Sequence, residues 1–192
     1  MSATNKITLT GDLGSGKSAV SALLCENTGY QYLSTGRIQR RLAAEMGIDT
    51  LEMNRRADTD PTIDERIDGV FVSLNENPDG YVVDSRLAWF FIPGSFKIYL
   101  TVDTEVAARR IINDPSRNSE QYSDVLEAVE KIKARKASEN ARFLAKYGAD
   151  CANLDQFDIV IDTTNKQPEE VASLILSAKL AKEAGKDFVR FV

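Results

Sequence analysis

The 192-residue chain contains no histidine. That excludes Ser-His-Asp nucleophile arrangements and histidine-ligated zinc. It has two cysteines, Cys25 and Cys151, far apart and without Cys-x-x-Cys spacing. They read as buried thiols in a reducing compartment, not as a disulfide or a metal pair. No stretch approaches the roughly 18 apolar residues of a membrane span. The opening Met-Ser-Ala-Thr-Asn-Lys lacks the apolar core of a secretory signal. The expectation is a cytoplasmic protein with no membrane partner. Nor is there an excess of positive charge: 24 Lys and Arg stand against 29 Asp and Glu, for a net charge of −5. A sequence-independent nucleic-acid binder is usually strongly basic, so nucleic acid is not the expected partner. Internal repeats and low-complexity tracts are also missing. What remains, 43% hydrophobic and 28% charged residues, suits one soluble domain spanning residues 1–192, with a monomer as the default.

Residues 11–18 read Gly-Asp-Leu-Gly-Ser-Gly-Lys-Ser. They match the phosphate-binding pattern G-x-x-x-x-G-K-[ST] at every fixed position. A β-type run, Lys6–Thr10, precedes the loop, and a helical segment, Lys17–Asn27, follows it with Ala19, Leu23 and Leu24 as its apolar side. That strand–loop–helix context is what the motif requires. Gly11, Gly14 and Gly16 let the backbone approach closely, so the amides of Asp12, Leu13, Ser15, Lys17 and Ala19 can cradle phosphates together with the helix N-terminus. Lys17 is placed for the β- and γ-phosphates of a bound nucleotide and Ser18 for Mg²⁺. The spacing is not the G-x-G-x-x-G of a dinucleotide site.

Five strands are predicted: Lys6–Thr10, Tyr30–Leu33, Tyr81–Asp84, Lys97–Val102 and Asp158–Asp162. Helical stretches separate them, which is the α/β pattern of a parallel sheet covered on both faces. Ligands in such sheets bind beyond the strand C-termini. A long excursion, residues 34–79, includes a helix with Asp60 as N-cap and Pro61 at its first position. A second excursion holds the polar stretch Asn113–Ser119 and then a helix from about Asp124 to Tyr147. A last helix runs from Pro168 to about Ala184, ended by Gly185.

Phosphoryl transfer needs charge neutralisation and alignment more than a covalent catalyst. Arg37, Arg40 and Arg41 share one helical face after the second strand, either a solvated surface or an anion site. Asp84 closes the third strand like a Mg²⁺-holding acid, and Arg86 can grip an acceptor phosphate. Arg109, Arg110 and Arg117 flank the polar stretch, as in a closing lid or an exposed helix end. Lys131, Arg135 and Arg142 align on one face, with Glu139 four residues after Arg135. Asp64 and Asp68 repel at i, i+4. Arg66 can offset them, and they can alternatively receive a nucleobase amino group.

In their order, these segments resemble the cytidylate kinase family over about residues 5–176. The resemblance rests on the phosphate loop, Ser34-Thr35-Gly36 with Arg40, Asp60-Pro61 with Asp64 and Asp68, Ser85-Arg86-Leu87-Ala88, and Arg135, Ser138, Glu139, Arg142 and Phe143 followed by Tyr147-Gly148. It implies a three-layer P-loop NTPase fold with sheet order 2-3-1-4-5. Residues 34–79 would be the monophosphate-binding insert and residues 113–123 the lid. The implied reaction moves the γ-phosphate of ATP, with Mg²⁺, to a small nucleotide, CMP or dCMP. The acceptor would meet Ser34, Thr35, Gly36, Arg40, Asp64, Asp68 and Arg86. Arg110, Arg135 and Arg142 would surround the transferring group, and the Asn165 loop would lie against adenine. The sequence departs from the family pattern at Ser85, at Phe143 and in the lid, where Arg117 alone could supply the second arginine. Two other readings stay open: a P-loop kinase for another small acceptor, and an ATP sensor with little turnover.

Overall fold

A computed structural model describes residues 5–48, 52, 53, 56, 60–114 and 122–192. Five strands form one sheet in the order β2-β3-β1-β4-β5. They are β1 (Lys6–Gly11), β2 (Gln31–Ser34), β3 (Tyr81–Asp84), β4 (Phe96–Thr101) and β5 (Ile159–Asp162). Every pairing is parallel, with Leu9 beside Asp84 on one flank and Ile98 on the other. Strands β3, β4 and β5 carry consecutive apolar residues, as strands covered on both faces do, whereas β1 buries Lys6, Thr8 and Thr10 between its apolar residues and β2 is only partly buried.

The helices described are α1 (Lys17–Thr28), α2 (Thr35–Glu45), α3 (Pro61–Ser73), α4 (Ala88–Phe91), α5 (Thr104–Ile112), α6 (Val125–Tyr147) and α7 (Pro168–Glu183). Asp60 caps α3 through Thr62 N, as its sequence predicts. Asp124 caps α6, and Gly148 ends it in the left-handed conformation. One expectation needs correcting. The buried side of α1 is Val20, Ser21 and Leu24, whereas Ala19 is exposed, because the helix turns its first turn toward the phosphate loop.

Adjacent residues of a strand serve opposite layers. Val82, Ile98 and Leu100 join Val20 and Leu24 of α1 and Val171 and Ile175 of α7 in one core. Val83 packs with Ile38, Leu42, Ile63 and Phe71 of α2 and α3, and Tyr99 packs with Trp89, Phe143 and Phe157. The short α4 has no sequence signal of its own. Another unanticipated feature is the C-terminal segment, which lies parallel to β5. Arg190 O accepts from Val160 N at 2.8 Å, and Val192 O accepts from Asp162 N at 2.8 Å.

The strand C-termini place Gly11, Ser34, Asp84, Thr101 and Asp162 along one edge of the sheet, where a doubly wound sheet forms its ligand crevice. Among the described residues no helix is long and apolar enough to cross a membrane. Residues 115–121, which include Arg117 and most of the segment expected as a lid, lie outside the described residues.

Candidate active site

The phosphate loop is held by close backbone approach. A Cβ on Gly11 would lie 2.3 Å from Leu100 O, and one on Gly14 would lie 3.0 Å from the backbone of Ala107. Gly16 takes φ 84° at the start of α1, which has no side-chain cap and no acid in its first turn. The first amides of α1 are thus left for an anion. The Asp12 amide is engaged elsewhere: it donates to Leu100 O at 2.8 Å. Lys17 Nζ folds back onto Gly11 O at 3.0 Å and Asp12 O at 2.7 Å. Ser15 Oγ is buried with no partner among the described residues.

Beside the loop, Ser18 Oγ donates to Asp84 Oδ2 at 3.4 Å, and Tyr32 OH donates to the same oxygen at 3.4 Å. Burial raises the Tyr32 phenol above its ordinary pKa, and the Asp84 charge raises it further. Arg37 stacks on the Tyr32 ring at 5.1 Å and donates to Tyr32 O at 2.9 Å. Ser34, Thr35, Gly36, Arg40 and Arg86 line the hollow in front of these groups. The arginine row of α2 therefore divides. Arg40 reaches the hollow, Arg37 braces Tyr32, and Arg41 lies exposed near Glu45 at 3.7 Å. Ser18 and Asp84 present hard oxygen donors suited to Mg²⁺, which is commonly held by one or two side chains plus phosphate oxygens. Among the described residues there is no cluster of three or more His, Cys, Asp or Glu able to hold a metal.

The next cleft is floored by Arg86 and walled by α3 and α6. Arg86 Nη1 donates to Gly11 O at 3.4 Å and meets Glu139 Oε2 at 3.4 Å. Its Nη2 donates to Asn140 Oδ1 at 3.3 Å, and its buried Nε has no partner among the described residues. Arg135 Nε donates to Glu139 Oε1 at 2.8 Å. Arg142, also at this cleft, is exposed and lies over the Phe143 ring at 5.1 Å. Lys146 Nζ pairs with Asp64 Oδ2 at 2.5 Å, and Tyr147 OH donates to Asp68 Oδ2 at 2.8 Å. Burial raises the Asp68 carboxyl above the usual range, against the Tyr147 hydrogen bond, which lowers it. The expected partner Arg66 is given instead to Glu45, at 2.8 Å.

On the far side of the loop, Arg110 spans 3.3 Å to Gly14 O and 2.8 Å to Thr163 O. It stands apart from Arg135 and Arg142 and lines a hollow with Gly16, Val20, Lys166, Gln167 and Pro168. Asn165 is exposed and is not among the lining residues of that hollow. Asp162 Oδ1 accepts from Thr164 N at 2.9 Å, and Thr164 Oγ1 accepts from Asp103 N at 2.9 Å. The loop after β5 is thereby fixed to the start of α5.

Sequence reasoning passed over Tyr32, Tyr99, Lys136, Asn140 and Lys146. Tyr32 had a usable signal: it precedes Ser34 by two positions, so strand alternation puts both on one face. Lys136, Asn140 and Lys146 depend on how α6 crosses the sheet edge, and Tyr99 of β4 on how the phosphate loop lies over it; no local pattern records either.

Solved structures share this architecture. Shikimate kinase from Aquifex aeolicus superposes with a TM-score of 0.62 at 17% identity, covering 94% of this chain and 99% of that one. An uncharacterized protein from Eubacterium ventriosum gives a TM-score of 0.68 at 16% identity, covering 92% and 98%. In sequence the chain is closer to archaeal proteins. It is 34% identical to a cytidylate kinase of Sulfurisphaera tokodaii over 92% of this chain and 97% of that protein. It is 37% identical to one of Sulfolobus acidocaldarius over 89% and 92%. Residues 6–165 match the cytidylate kinase-like family. With the loop, the arginine-floored cleft and these relatives in agreement, the chain belongs to the cytidylate kinase-like family.

Proposed function

We propose that this protein transfers the γ-phosphoryl group of ATP to CMP or dCMP. The observation that carries the reading is the position of Arg86. One guanidinium stands between Gly11 O of the phosphate loop, at 3.4 Å, and the Glu139 and Asn140 wall of the neighbouring cleft. A phosphate entering that cleft meets Arg86 with a second cation, Arg135, beside it. Its oxygen is thereby aimed at a γ-phosphorus held by the loop.

Lys17 leaves the two loop carbonyls for the β- and γ-oxygens. Ser18 and Asp84 would hold Mg²⁺, which neutralises developing charge on the phosphates. Arg86, Arg135 and Arg142 orient the acceptor phosphate and screen its repulsion from the donor. The acceptor oxygen bonds to phosphorus as the bond to the ADP oxygen breaks. Asp64 and Asp68 face the far end of the cleft. Carboxylates accept hydrogen bonds, so a base bearing an amino group suits them better than one with a carbonyl there. The segment 34–79, with α2 and α3, serves as the acceptor insert. The loop after β5, with Arg110, borders the donor base, and residues 113–123 are the lid.

The test is ADP release from Mg·ATP against CMP, dCMP, UMP, AMP, GMP, shikimate and gluconate. Stimulation chiefly by CMP or dCMP is expected. Stimulation by another member, or by none while ATP still binds, overturns the acceptor assignment.

A further inference from the structure

The second residue of the phosphate loop is an acid, Asp12. A carboxylate there is unfavourable for a polyanion: at about 8 Å and an effective dielectric near 20, two unit charges repel enough to weaken binding many-fold, less once salt screens them. The structure answers this charge from another element. Lys136 of α6 places Nζ 2.6 Å from Asp12 Oδ1, and the Asp12 side chain is only 13% exposed. Tyr99 OH donates to the same Oδ1 at 3.0 Å, and the Lys136 ammonium sits 6.0 Å from the Tyr99 ring centroid. Tyr99 is itself almost fully buried. Burial, then the Asp12 charge, raises its pKa, so it remains a donor.

Lys136 shares its cleft with the cations Lys17, Arg86 and Arg135, and Asp12 and Leu13 line it as well. Lys17 cannot serve both purposes. It donates to the Asp12 carbonyl at 2.7 Å, and phosphates draw that ammonium away. A dedicated counter-charge on the Asp12 carboxylate is what stays behind.

Resting on the kinase reading above, we propose that Lys136 is a positioning residue for the donor nucleotide, acting through Asp12: it masks the loop carboxylate so that the phosphates can approach. An exposed ion pair would be worth little, but the Asp12 carboxylate is mostly shielded from water. Removing the Lys136 ammonium, 2.6 Å from Oδ1, leaves that carboxylate less compensated beside the phosphates.

The test is Mg·ADP binding by titration calorimetry without acceptor, at low and moderate salt, for the wild type, Lys136→Gln, Lys136→Arg and Asp12→Asn/Lys136→Gln, with a thermal melt of each. Lys136→Gln should bind ADP roughly fivefold more weakly at low salt, and less so as salt rises. Lys136→Arg should bind nearly as wild type. Adding Asp12→Asn should restore affinity, since the charge needing a mask is gone. Wild-type affinity in Lys136→Gln overturns the proposal. Failure of Asp12→Asn to rescue also overturns it, because Lys136 would then act on the phosphates directly. A loss that follows the melting temperatures instead of the salt overturns it as well. If the wild type binds no ADP, the kinase reading itself has failed, which is a separate outcome.

Discussion

Arg86 and Glu139 face each other across the cleft, Nη1 to Oε2 at 3.4 Å, and the same carboxylate accepts from Arg135 at 2.8 Å. Two of the three arginines proposed to orient the acceptor phosphate, Arg86 and Arg135, are thus already held as a pair by one acid. Their charges converge before any substrate arrives.

Arg86→Ala should raise the acceptor KM roughly 10- to 100-fold, the scale of losing a charge-assisted hydrogen bond. ADP affinity should change little, because Arg86 reaches only a carbonyl of the loop. Steady-state kinetics paired with ADP titration check this. An equal loss of ADP binding would place Arg86 in the donor site instead.

Lys17→Ala should lower kcat by about 10²-fold or more, the scale seen when a donor to developing charge is removed. Its ammonium bonds the loop carbonyls of Gly11 and Asp12, so unfolding should shift by about 1 kcal/mol. Initial rates and a thermal melt on one preparation separate the two effects. Near-normal turnover would sink the phosphate-loop assignment.

Gly14→Ala introduces a Cβ 3.0 Å from the Ala107 backbone at a residue with φ +77°. Strain of about 1–3 kcal/mol is expected, together with weaker ADP binding as the loop is pushed off α5. Denaturant unfolding and nucleotide titration should fall together. A variant as stable as the wild type would mean that the loop and α5 separate easily.

Asp68→Asn should be more stable than the wild type at pH 7–8. The folded state raises this carboxyl above its unfolded value, chiefly through burial. Wild-type stabilisation by this group is therefore complete below the unfolded pKa and lost as pH rises through the folded one. The advantage of the variant should close as pH falls toward the ordinary Asp value near 4. Asn Oδ1 still accepts from Tyr147. Melting temperatures of both proteins from pH 4 to 8 decide it, and parallel curves would contradict the prediction.

Much of this was legible in the chain. Val82 and Val83 are buried at consecutive positions toward opposite faces, so Tyr81–Asp84 can be read directly. Asp60, Pro61, Asp124 and Gly148 mark helix ends because capping chemistry is local. What stayed hidden depends on which face of one element meets another. Lys136 follows Arg135 directly in sequence, and nothing near it points to Asp12. The choice of Lys146 over Arg66 for Asp64 is set by how α6 crosses α3. The strand-like C-terminal segment, whose Phe191 pairs with Val160, has little alternation over so few residues.

Helix α6 touches the phosphate loop through Lys136, the cleft floor through Glu139 and Asn140, and the acids of α3 through Lys146 and Tyr147. From Lys136 to Tyr147 that is about 16 Å at the roughly 1.5 Å rise of an α-helix. A continuous helix over that length joins the three regions through one rigid element, so the coupling expected of it is mechanical. Work done on it at the donor end is felt at the acceptor end, and by thermodynamic linkage the reverse must hold to the same degree. The two nucleotides, which never share a side chain at those extremes, are then expected to bind with a common sign of cooperativity.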